Sequence, residues 1–98
     1  MRQHVLVAYD IADDGRLRRV MRICKDYGDR VQFSVYAVQV TDKDLAILKE
    51  RLLGRIKPSE DRVMFVRLGP VAKDGEPPLR IDTLGLPLEL TDRKNLVF

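Results

Sequence analysis

Apolar and polar positions divide this chain into blocks of two different periods. Residues 3–10 are nearly all apolar, as in a central strand covered on both faces, and the run ends in an acid, Asp10. Leu17, Val20, Met21, Cys24 and Tyr27 then recur at threes and fours, which predicts an amphipathic helix. Asp13 or Asp14 caps its start and Gly28 stops it. Residues 31–40 alternate as a strand, with Val31, Phe33, Val35 and Ala37 on one side and Gln32, Ser34 and Tyr36 on the other. Thr41 with Asp44 three residues on resembles a capping box. It opens a second helix with the stripe Leu45, Leu48, Leu52 and Leu53, ending near Gly54. A polar connection over 55–61 contains Pro58 and leads to a strand over 62–68, which Gly69-Pro70 ends. The segment from Lys73 to Pro78 is a loop or hinge that cannot be helical. Leu79 to Leu84 is a short final strand, and the tail from Pro87 mixes leucines with charge and is expected to dock.

This order suits an α+β sandwich of the ferredoxin-like βαββαβ type, with two helices on one face of an antiparallel sheet and an additional C-terminal strand. That fold needs two strands between its helices, yet residues 31–40 hold no Gly, Pro or Asn turn signal. A kink or bulge near Gln32 to Ser34 is therefore expected to divide the run. Two helices cover only one sheet face, and the other would leave apolar side chains in water. A homodimer packed sheet against sheet follows. Pro77-Pro78 suggests a hinge, so residues 1–78 form the core domain and residues 79–98 a strand and tail exchanged onto the partner.

Length and charge narrow this only a little. The 98 residues make one domain, and 18 Lys and Arg against 15 Asp and Glu give a net charge of +3. That permits a polyanionic partner without demanding one. Cys24 and His4 are each the sole residue of their kind, which rules out an internal disulfide and a zinc site of several Cys and His within one chain. A Cys-His or Ser-His couple would need His4, at the start of a strand. No signal peptide and no long apolar span are evident, so a cytoplasmic protein away from membranes is expected.

Candidate chemistry gathers after the first strand. Asp10 reads equally as a ligand for a hard cation and as a cap of the next turn. Arg16, Arg18, Arg19 and Arg22 suit phosphate, although such a cluster is most often a solvated helix face. Arg16 and Arg19, three apart, fall nearer Asp10 than Arg18 and Arg22. Lys43, Lys49, Arg51, Arg55 and Lys57 could follow a duplex backbone or simply face water.

Tyr9-Asp10-Ile11, Asp13-Asp14, Arg16 to Val20, Tyr27-Gly28, Arg30-Val31-Gln32 and Ser34-Val35-Tyr36 together resemble the CRISPR-associated protein 2 family. The likeness is strong over residues 4–40 and extends through 62–69. It implies a ferredoxin-like homodimer with exchanged final strands. It implies a CRISPR adaptation protein that binds DNA or RNA and bridges the integrase subunits. It also implies magnesium-dependent endonuclease activity (manganese serving as well) on single-stranded RNA or double-stranded DNA. Carried to this chain, Asp10 is the catalytic metal ligand, facing its twin across the dimer. Tyr9, Arg16, Arg19, Arg30, Ser34 and Tyr36 flank the cleft or the dimer contact. The chain departs from the family pattern at Tyr36, where phenylalanine is common, and at Ala37, where an acid often follows. Two alternatives stand beside the enzyme: a DNA-binding adaptor without catalysis, and a ferredoxin-like module for a small molecule.

Overall fold

The computed structural model describes residues 2–68 and 80–87. Five strands and two helices alternate as β1 (Gln3–Asp10), α1 (Asp14–Lys25), β2 (Gly28–Gln32), β3 (Val35–Val40), α2 (Asp42–Leu53), β4 (Arg62–Leu68) and β5 (Arg80–Gly85). The strands form one antiparallel sheet in the order β2-β3-β1-β4-β5, which is the ferredoxin-like arrangement with one strand added at the β4 edge. Among the described residues, no helix is long and apolar enough to cross a membrane. The Gly69-Pro70 stop, the Lys73–Pro78 hinge and the tail from 88 onward lie outside the described residues.

Each helix begins where a short polar side chain accepts a free backbone N–H. Asp13 takes the Arg16 N–H at 2.8 Å, and Thr41 takes the Asp44 N–H at 3.1 Å. The expected kink is a hairpin: β2 ends at Gln32, β3 begins at Val35, and the register slips between Arg30 and Gln32. Gly28 opens β2 rather than stopping α1, which ends at Lys25 with Asp26 as its cap. A Cβ at Gly28 would run into the Ala37 carbonyl oxygen, so glycine permits the close approach of β2 to β3.

One core lies between the helices and the sheet. Val5, Val7 and Tyr9 of β1 meet Val20, Ile23 and Cys24 of α1, Leu45, Leu48 and Leu52 of α2, and Val63 and Phe65 of β4. Each such burial contributes roughly 1.5–3 kcal/mol before entropy is counted. On β3 the buried residues are Tyr36, Val38 and Val40, so the tyrosine side of that strand, not the Val35 side, faces the helices. Val31 and Phe33 stand exposed on the hairpin. Leu53 is exposed as well, because it follows Leu52 by about 100° around the helix.

Among the described residues, no helix lies on the opposite sheet face. Leu6 lies between Ala37 and Val66, and Ala8 between Val35 and Met64, all only partly buried. The described residues therefore do not supply the double cover expected of β1. In the single chain the strand expected to exchange pairs with β4, from Arg62 opposite Gly85 to Arg67 opposite Arg80. A free β4 edge offers unpaired N–H and C=O groups, and the chain's own final strand satisfies them here.

Candidate functional site

Asp10 closes β1, opposite Arg62 of β4, and is exposed. By the two-residue alternation of a strand it shares its side with Leu6 and Ala8, the open face. Asp13 caps α1, so the capping alternative for Asp10 falls away. Its carboxylate makes no hydrogen bond or ion pair among the described residues, unlike the bonded carboxylates of Asp13 and Asp61.

Tyr9 points the other way, into the core. Its ring stacks beside Tyr36 with centroids 6.3 Å apart. Burial, then the neighbouring Tyr36, pushes its phenol up to about 12, which keeps it neutral. Its hydroxyl reaches the Phe33 carbonyl only at 3.4 Å, while its backbone N–H donates to the Ser34 carbonyl at 3.0 Å. These contacts hold the hairpin turn against the end of β1. Tyr36 is buried, and its hydroxyl has no partner among the described residues. Ser34 occupies the turn between β2 and β3, and Arg30 lies over the exposed Phe33 ring at 5.9 Å. Tyr9 and Tyr36 thus pack, while Ser34 and Arg30 shape the hairpin beside Asp10.

Arg16 is not free for phosphate. Its Nε donates to Asp61 Oδ2 at 2.7 Å, and its Nη2 donates to Asp61 Oδ1 at 3.2 Å and Glu60 Oε1 at 3.3 Å. Asp61 is fully buried and also accepts the Ala12 N–H at 3.0 Å and the Lys57 N–H at 2.7 Å. Burial alone would raise its pKa, but the Arg16 guanidinium and the two backbone donors outweigh it and hold the carboxyl down to about 2. Nothing in the spacing of the 55–61 connection separates Asp61 from its neighbour Glu60, so pattern reading misses it. Arg19 parts from Arg16 and lines a cleft with Arg22, Ile23 and Arg55.

Among the described residues, no three of His, Cys, Asp and Glu converge as a metal site. Magnesium needs only one or two carboxylates when waters and substrate phosphates complete its shell. One chain supplies Asp10, and a second copy would supply the other. A donor set of one carboxylate per chain is sparse for magnesium and would be doubled where two chains meet.

Comparison with known proteins agrees with this architecture. The family model described as CRISPR associated protein Cas2 matches residues 2–73. A CRISPR-associated endoribonuclease Cas2 of Nitratidesulfovibrio vulgaris is 43% identical over 70 residues, covering 66% of this chain and 69% of that protein. One from Chloroflexus aurantiacus is 34% identical over 92 residues, covering 94% of each. The crystal structure of Streptococcus pyogenes Cas2 superposes with a TM-score of 0.64 at 39% identity, over 67% of this chain and 86% of that one. A hypothetical protein from Thermus thermophilus gives 0.70 at 27% identity, over 74% of this chain and 89% of that one. This chain belongs to the Cas2 family of CRISPR-associated proteins.

Proposed function

We propose that this chain acts in CRISPR adaptation as a cytoplasmic homodimer that binds nucleic acid, bridges the integrase subunits and cleaves phosphodiesters with the help of magnesium. The observation that carries the catalytic part is Asp10. It is a solvent-facing carboxylate at the end of a central strand, not used as a cap, beside a helix rich in arginine. Its relatives' name, CRISPR-associated endoribonuclease, supports nuclease chemistry. The open face around Leu6, Ala8 and Val66 supports pairing of two chains, and Asp10 lies on that side. Exchange of the β5 strands within the dimer belongs to the same proposal, the partner's strand taking the place on β4 that the chain's own β5 holds here.

In this reading the two Asp10 carboxylates would hold the magnesium, which would supply charge neutralisation at the phosphate and activation of a water. The hairpin pinned by Tyr9 keeps the end of β1 in place, and the Arg16–Asp61 pair fixes the start of α1 beside it. Tyr9 stays protonated and serves no base role at neutral pH. A site this sparse predicts slow cleavage.

One observation favours a second reading, a DNA-binding adaptor without catalysis: among the described residues, no group of three His, Cys, Asp or Glu side chains forms around Asp10. Purified protein and its Asp10→Asn variant, each with magnesium and with chelator, on single-stranded RNA and duplex DNA, separate the two. Cleavage by the native protein that needs the metal and vanishes in Asp10→Asn supports the enzyme. Absence of native cleavage, with intact DNA binding and spacer integration by both proteins, supports the adaptor.

A further inference from the structure

We propose that Arg19, Arg22 and Arg55 form a phosphodiester-binding site on the helical layer of the molecule. Arg19 and Arg22 are three residues apart on α1, so their side chains rise from neighbouring positions on one side of the helix. Arg55 follows the Gly54 cap at the end of α2. The three guanidinium-bearing side chains and Ile23 line a cleft of about 250 Å³. Ile23 is nearly buried and gives the cleft an apolar floor.

The charge there is unbalanced. Arg16, Lys49, Arg51, Lys57 and Arg67 each meet a carboxylate. Among the described residues, Arg19, Arg22 and Arg55 make no such pair, and Arg19 acts on Asp13 only at longer range. Three like charges around one concavity repel one another, and a multivalent oxyanion removes that repulsion. Guanidinium forks match phosphate oxygens two at a time. Single protein anions offer a poorer match than a backbone that presents a phosphate at every step. The cleft sits on the side of the sheet away from Leu6 and Ala8, so pairing of two open faces leaves it in solvent.

This site rests on the nucleic-acid reading above, and the test keeps the two apart. A fluorescent 30-base-pair duplex and a single-stranded RNA of equal length are titrated by anisotropy across a salt series. The native protein, an R19Q/R22Q/R55Q variant and an R2Q/K25Q control, which alters exposed cations that do not line the cleft, are compared. The expected result is at least about a tenfold loss of duplex affinity in the triple variant at low salt. Its slope of log affinity against log salt should flatten by about 2 to 3, one contact per arginine. The control should bind as the native protein does. A triple variant that binds like native protein, or a control that falls equally, overturns the site and leaves nucleic-acid binding standing. Native protein that binds neither ligand overturns both. Thermal melts check the fold of each variant. If the triple variant does not melt cooperatively, R22Q and R55Q are measured singly, and each should lose part of the affinity and about one contact of slope. Native-like binding by both overturns the proposal.

Discussion

Arg16 and Asp61, 45 residues apart in the chain, meet through two hydrogen bonds of 2.7 and 3.2 Å between one guanidinium and one carboxylate. Around that pair the start of α1, the 55–61 connection and the end of β5 are drawn together. Asp61 takes backbone N–H groups from Ala12 and Lys57 on its side chain, and its carbonyl takes the Leu86 N–H at 2.7 Å. Asp10 lies one register pair away, because its partner Arg62 follows Asp61 directly. The buried acid is therefore the brace of the sheet end that carries the exposed one.

Asp61→Ala should destabilise the protein on the order of 3 kcal/mol, since it leaves the Ala12 and Lys57 N–H groups and the Arg16 guanidinium without their acceptor. Denaturant unfolding measures this. Asp10→Ala, which removes no described bond, should unfold at nearly the native midpoint. Equal midpoints for Asp61→Ala and native protein would mean that water replaces the carboxylate at no cost.

The same residue sets an acid limit. Its carboxyl is held to about 2 in the folded chain, against an ordinary value of 3.8. A carboxyl whose folded pKa is depressed adds stability above its unfolded pKa and loses it as pH falls through its folded pKa. The loss should therefore run from about pH 4 down to about pH 2. In Asp61→Asn that part of the acid transition should be missing, so stability between pH 5 and 2.5 should fall less steeply than in native protein.

Both helices and the strands outside the β2–β3 hairpin are legible because each announces itself locally. The capping residues Asp13 and Thr41, the stripe Leu45, Leu48 and Leu52, and the run 62–68 all stand where pattern placed them. The split of 31–40 was inferable only from the fold, since its hairpin turn uses Phe33 and Ser34 rather than glycine or asparagine. Alternation divides β3 into two sides without saying which is buried, because both carry large residues; the structure puts the Tyr36 side in the core. Asp10 stood out as an acid ending an apolar run. The division of the arginines did not: Arg16 and Arg19 are equivalent in sequence, and only Asp61, far along the chain, captures one of them.

Gly85 closes the β5 end of this brace. It is the only glycine with positive φ among the described residues, at 91°, and a Cβ there would strike the Asp61 carbonyl oxygen. Gly85→Ala should cost more than about 1 kcal/mol and speed hydrogen exchange along β5. Gly54 makes a fair comparison. Its φ is −72° and an added Cβ has room, so Gly54→Ala should be neutral or stabilise slightly. Similar exchange rates for β5 in both variants would show that the strand does not depend on this turn.

Pairing of two open faces makes the remaining prediction. Val66 sits beside Leu6 at the middle of the uncovered sheet face and is only partly buried in the single chain. A carboxylate there meets water in a monomer and an apolar partner in a dimer. Val66→Asp should therefore keep the fold and lose the dimer, because two buried like charges would face one another without partners. Leu53→Asp places the same charge on the helical layer, at a side chain half exposed, and should leave the dimer intact. Sedimentation at micromolar concentration distinguishes the two, with circular dichroism confirming that both are folded. If Val66→Asp stays dimeric, the open face is not the contact, and two Asp10 carboxylates have no reason to meet. In that case cleavage that depends on Asp10 would have to come from a single chain. Mixing Asp10→Asn with native protein tests this: shared sites lose activity as the square of the native fraction, and independent sites lose it linearly.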